Sequence, residues 1–194
     1  FLNGWSQAAQ NGGMPRPRFD LGVGVSTGGM FVSHAFLGAE YGDELRNQLF
    51  ELSTAGVYRR RPILASLTGD AVATTKPLRE RLEHVITPAL LDRVADAWLQ
   101  EGRRLAVIAV DMDCGKPQLL DLTAVAVHRD RADRVSRYID YLMASSASPV
   151  AFPPVFIDGR MLVDGALRQH IPFPSQIAAL TTAQFAALET ADIV

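Results

Sequence analysis

Residues 19–37 read FDLGVGVSTGGMFVSHAFL, and this stretch decides the fold. Phe19 to Val25 is apolar enough for an interior strand, and the apolar run stops at Ser26. Beyond it, Met30, Phe31, His34, Ala35 and Leu37 recur at helical spacings. A strand therefore passes into a helix with almost no loop between. At the junction, Gly24, Val25, Ser26, Thr27 and Gly28 form a Gly-x-Ser-x-Gly, and its strand-to-helix setting separates a nucleophile elbow from a chance match. Side chains at 24 and 28 are expected to collide where strand and helix approach, so glycine relieves both contacts. The Ser26 hydroxyl then faces a cleft. The Thr27 amide, at the helix N-terminus, is aimed where a tetrahedral intermediate develops negative charge. The plainer reading of the same five residues is a tight turn with Ser26 as helix cap.

Outward from the junction, the N-terminal stretch to Arg18 reads as the tail of one element followed by a turn region at Asn11 to Gly13. Downstream, Asp43 to Leu52 carries a helical leucine stripe, and Arg59 to Arg61 reads as a solvated turn. Thr75 and Pro77 open one helix. Thr87 and Pro88 open another, which Gly102 closes. Arg104 to Val110 and Leu119 to Val127 read as strands joined either as a hairpin or by a loop at a strand end, and Asp133 to Ala144 returns to helix. Val155 to Ile157 and Met161 to Val163 are short strands joined by the favoured turn pair Asp158-Gly159. Strands mixed with helices of this length predict an α/β sheet with helices on both faces.

Bulk properties narrow the function. A chain of 194 residues amounts to about one domain, large enough to bury roughly 70% of its unfolded surface without staples. Nineteen Lys and Arg against 21 Asp and Glu leave a net charge of −2, which offers no positive field to a nucleic-acid backbone. No apolar run approaches the length needed to cross a bilayer. The chain opens on Phe1 with no Met and no leader pattern, so further sequence is expected upstream, and with one cysteine the localisation stays open.

A serine nucleophile needs a group to take its proton. Of the four histidines, His34 lies eight residues along the helix from Ser26 and reads as a packed or surface side chain. His84 and His128 read as surface residues, while His170 could close a Ser-Asp-His order and defines an esterase-like alternative. The better partner is Asp164, at the end of a short strand and followed by Gly165. Asp158 also precedes a glycine, but a turn explains it completely. Cys114 has no histidine beside it and no elbow around it. Asp111 and Asp113 read as a solvated, capped turn rather than a cation site, and no metal or cofactor is expected.

These motifs also occur together. GVSTG at 24–28 resembles the nucleophile motif of the patatin-like phospholipase family, and VDGA at 163–166 resembles its Asp-Gly-Gly/Ala motif. ASSASPVAFPPV at 144–155 resembles the Ala-Ser-x-Ala-x-Pro segment that precedes the second motif. The three stand in the family's order. The resemblance implies a three-layer α/β/α fold with a mostly parallel central sheet, related to cytosolic phospholipase A2. It further implies a Ser-Asp dyad without histidine, hydrolysing lipid or small acyl esters, with Ser26 as nucleophile, Asp164 as base, and contact with a membrane surface left open. The family's glycine-rich oxyanion loop is not found in the sequence. Residues 1–194 are therefore expected to form a single domain lacking its first strand and that loop, and to be nearly inactive alone, since one lost oxyanion donor costs about 3 kcal/mol. A catalytically inactive lipid-binding or interaction domain is the alternative that the missing loop leaves open. For an acyl chain, Met30, Phe31, Phe152, Val155 and Phe156 are the expected lining.

Overall fold

The computed structural model describes residues 2–50, 59–60, 73–149 and 151–168. His170, Arg61, Leu52 and the tail from Ser175 to Val194 lie outside the described residues. Helix α1 (Leu2–Gln10) precedes strand β1 (Leu21–Val25), which runs directly into α2 (Thr27–Leu37). A 3₁₀ turn at Ala39–Tyr41 leads to α3 (Gly42–Phe50). The arginines expected in a turn contribute instead to a two-residue strand, β2 (Arg59–Arg60), antiparallel to β3 (Ala73–Thr74).

Two helices follow, α4 (Lys76–Val85) and α5 (Pro88–Glu101). The Thr87 hydroxyl caps α5 by accepting from the Leu90 amide at 3.2 Å, and Gly102 closes it in the left-handed conformation at φ 70°. Strands β4 (Arg104–Asp111) and β5 (Lys116–Asp121) form an antiparallel hairpin. The strand predicted over Leu119 to Val127 breaks at Asp121, and the remainder is helix α6 (Leu122–Val127). The reason is a cap: Asp121 accepts from the Ala124 amide at 2.9 Å and from the Thr123 hydroxyl, which starts a helix inside a run whose apolar content has no decisive period. Helix α7 (Arg134–Ser145) leads to β6 (Val155–Ile157) and β7 (Arg160–Asp164), and a 3₁₀ turn at Gly165–Leu167 follows. Asp158 and Gly159 both have positive φ, 51° and 77°, as a two-residue hairpin turn demands.

The architecture is three-layer α/β/α around a mixed sheet. Where a mostly parallel sheet was expected, β1 pairs β4 in parallel while β5, β7 and β6 join antiparallel. The cause is the pair of tight turns: β4–β5 and β6–β7 are joined by loops too short for the crossover that parallel strands need. The main core gathers α2 and α4 to α7 against one face of the sheet, where Leu105 and Val107 of β4 are fully buried. Ala106, Ile108 and Leu119 form a smaller cluster with Val23 and Val25, as the alternation of side chains along β4 requires.

This sheet brings two strand ends together. β5 covers Ala106 to Asp111 along one edge of β4, so β1 and β7 share the other edge. They enter from opposite ends: Val25 pairs Ile108, and Asp164 pairs Ala109. The last residue of β1 and the last of β7 thus face consecutive residues of one central strand. Ser26, the next residue after Val25, is delivered beside Asp164.

Candidate active site

Ser26 sits in a conformation that few residues other than glycine adopt, φ 54° and ψ −129°, and its side chain makes no cap to α2. That excludes the helix-cap reading. Its hydroxyl instead donates to Asp164 Oδ2 at 2.8 Å, across 138 residues of chain. The strain is held by the C-terminal end of α7 and the residue after it. The Ser26 amide donates to both the backbone oxygen and the hydroxyl of Ser145, each at 3.1 Å, and the Ser145 hydroxyl donates to the Ile108 carbonyl at 2.7 Å. On the other side, the Ser26 carbonyl accepts from the Gly29 amide at 2.9 Å and from the Ser146 hydroxyl at 3.0 Å. Four bonds therefore fix one peptide unit on each side of the nucleophile candidate, enough to offset a local strain of about 1–3 kcal/mol.

Asp164 is 2% exposed. Its Oδ1 accepts from the Ala166 amide at 2.9 Å, while Oδ2 accepts from both Ser26 and the Ser148 hydroxyl, the latter at 2.7 Å. Its own amide donates to the Ala147 carbonyl at 2.9 Å. A buried carboxylate requires such partners, because an unsatisfied one would cost several kcal/mol.

The glycines around the pair divide by cause. A Cβ on Gly24 would lie 2.5 Å from the Gly29 Cα, and one on Gly165 would lie 2.3 Å from the Ile108 carbonyl oxygen. Both positions exclude any side chain. Gly28 differs from expectation: a Cβ there meets nothing within 4 Å, so the strand–helix contact is made by Gly24 against Gly29, and Gly28 is not sterically required. Thr27 and Gly28 are exposed and open α2, where the N–H groups have no carbonyl one turn back within the helix to bond. N–H groups at a helix start are of the kind that suits an anion.

Other residues singled out in the sequence fall elsewhere. His34 is buried two turns along α2, roughly 10 Å from its start. It borders a cleft of about 620 Å³ with Tyr41, Glu44, His84 and Arg93, to which neither Ser26 nor Asp164 contributes. Burial pushes its imidazole down from the ordinary range, and Glu44 partly opposes that shift. His84 bonds its own helix at the Glu80 carbonyl, and His128 is exposed. Asp111, expected in a solvated turn, is instead the buried last residue of β4 and accepts from the Asp113 amide at 2.9 Å, while Cys114 beyond it is exposed. Of the expected acyl lining, Met30, Phe31 and Val155 pack into the core. Phe156 is 69% exposed, and Phe152 is half-buried with its amide bonded to the Ser148 carbonyl at 2.9 Å. The three serines of 145–148 were not singled out individually by the sequence, although the motif containing them was.

Residues 8–176 match the patatin-like phospholipase family, so the chain belongs to that family of lipid hydrolases. No curated protein matches it. Among the described residues, no helix is long and apolar enough to cross a membrane.

Proposed function

We propose that the chain is a serine acyl hydrolase that cleaves lipid acyl esters with Ser26 as nucleophile and Asp164 as its base. The observation that carries this reading is the hydrogen bond from Ser26 Oγ to a buried carboxylate, made from a strained elbow. As Oγ attacks the ester carbonyl carbon, its proton passes to Asp164 Oδ2. Negative charge collects on the former carbonyl oxygen, where the Thr27 amide, helped by the α2 dipole, donates to it. Collapse of the tetrahedral species breaks the ester C–O bond. The leaving alcohol takes the proton from Asp164, and the acyl group stays on Ser26. Water then attacks the acyl carbon, its proton goes to Asp164, and release of the carboxylic acid returns that proton to Oγ. The carboxylate is thus used twice, once in each half-reaction.

The test is hydrolysis of short- and long-chain acyl esters by the full-length protein and by its Ser26→Ala and Asp164→Asn variants. Each substitution is expected to lower kcat/KM by about 10³-fold or more. Retention of the parental rate by either variant removes that residue from the mechanism. Activity lost with Ser26 but kept by Asp164→Asn would favour a histidine-assisted esterase instead.

A further inference from the structure

Asp164 Oδ2 receives two hydroxyls, yet the proposed chemistry needs one. The second comes from Ser148, at 2.7 Å. Resting on the Ser26–Asp164 reading above, we infer that Ser148 is a positioning residue, whose hydroxyl holds the Asp164 carboxylate toward the nucleophile.

A carboxylate turns easily about its last torsion, because that rotor has broad wells. The Ala166 amide on Oδ1 is a single anchor and leaves that rotation free. A second donor on Oδ2 fixes the plane of the group, so that the remaining acceptor direction on Oδ2 meets Ser26. Ser148 is itself well held. Its amide donates to the Ser146 carbonyl at 3.0 Å, and its carbonyl accepts from the Phe152 amide at 2.9 Å. One residue earlier, Ala147 accepts from the Asp164 amide, so the same short segment grips both backbone and side chain of the aspartate. Through Ser145 and Ser146 it also grips Ser26 on both sides. The loop thereby sets the distance between the two reacting groups.

Two effects of losing the Ser148 hydroxyl oppose each other. An Oδ2 with one donor fewer is a better proton acceptor, but general-base rates respond to only a fraction of such a change. Against that, a displacement of about 1 Å between reacting groups costs about a hundredfold. Orientation wins, and the net expectation is a slower acylation of about tenfold for one charge-assisted bond.

The experiment measures, in the full-length protein, the rate of covalent labelling by a fluorophosphonate, together with kcat and KM on an acyl ester. Ser148→Ala is expected to label about tenfold more slowly, with kcat lowered to match and KM unchanged. Ser148→Thr, which keeps the hydroxyl, should return to within about threefold of the parent, while its isostere Ser148→Val should be as slow as alanine. The Thr and Val pair carries the test if Ser148→Ala does not fold. Equal rates in that pair, or a parental rate in Ser148→Ala, overturn the assignment of Ser148. If Asp164→Asn labels at the parental rate, the Ser26–Asp164 pair itself fails, a different result from the failure of Ser148 alone.

Discussion

Asp158-Gly159 and Asp164-Gly165 are the same dipeptide, six residues apart at the two ends of one strand, and they do opposite things. Asp158 is exposed, holds a positive φ and bonds the Arg137 guanidinium at the surface. Asp164 is buried, with an ordinary negative φ, and all of its acceptors point inward. The glycines differ in the same sense. Gly159 is needed for its torsion, at φ 77° in open space, and Gly165 for its lack of a side chain against the Ile108 carbonyl. The first pair turns the chain. In the second, the neighbouring strand comes so close that the aspartate is aimed at the elbow. The dipeptide is identical; the difference is imposed by its place, since Ala109 of β4 lies opposite Asp164 whereas Asp158 sits in the turn between β6 and β7.

The contrast can be broken most directly at the acids. Asp164→Asn is expected to abolish ester hydrolysis, by about 10³-fold or more, while Asp158→Asn keeps parental kcat/KM. Equal losses in the two would end the distinction. Next come the glycines. Gly165→Ala must displace backbone, so we expect about 1–3 kcal/mol of lost stability in urea unfolding together with a fall in kcat as Asp164 moves. Gly159→Ala should lose about 1–2 kcal/mol through its left-handed torsion alone, with kcat untouched.

The elbow offers the same kind of comparison on the serine side. Gly24→Ala clashes with backbone of α2 and should resemble Gly165→Ala, whereas Gly28→Ala has room and gains up to about 1 kcal/mol of helix propensity. Thermal melts of the two variants read the difference, and a destabilised Gly28→Ala would restore the steric role expected from the motif.

The smallest effect concerns His34, the buried titratable group at the far end of α2. Its folded form holds a proton less readily than the unfolded chain, whose imidazole titrates near the ordinary 6.5. As pH falls through that value the unfolded state binds the proton first, so stability present above it is progressively lost toward the depressed folded value. Urea midpoints from pH 8 to 5 should show the decline, and His34→Gln should flatten it.

Much of this was legible in the sequence because it rests on local rules. The close contact at Gly24, the Thr87 cap, the Gly102 stop and the Asp158-Gly159 turn each act within a few residues. What the sequence hid depends on partners far along the chain. The direction of β7 follows from its pairing with Ala109 to Asp111, and no periodicity within five residues encodes that. The run from Leu119 to Val127 is apolar apart from Asp121 and Thr123, and the side-chain bonds of Asp121 divide strand from helix. The roles of Ser145, Ser146 and Ser148 depend on where β1 and β7 end, which a serine-rich string cannot disclose. Gly28 departs from expectation for the opposite reason: the motif implies a contact that Gly29 makes instead.

The most direct test of the central claim is intact-protein mass spectrometry of the full-length protein quenched during turnover of an acyl ester, followed by mapping of the modified peptide. One acyl group is expected on Ser26, absent from the Asp164→Asn protein quenched at the same time. An acyl group on another residue, such as Cys114, or one forming on Ser26 equally fast without the Asp164 carboxylate, would contradict it.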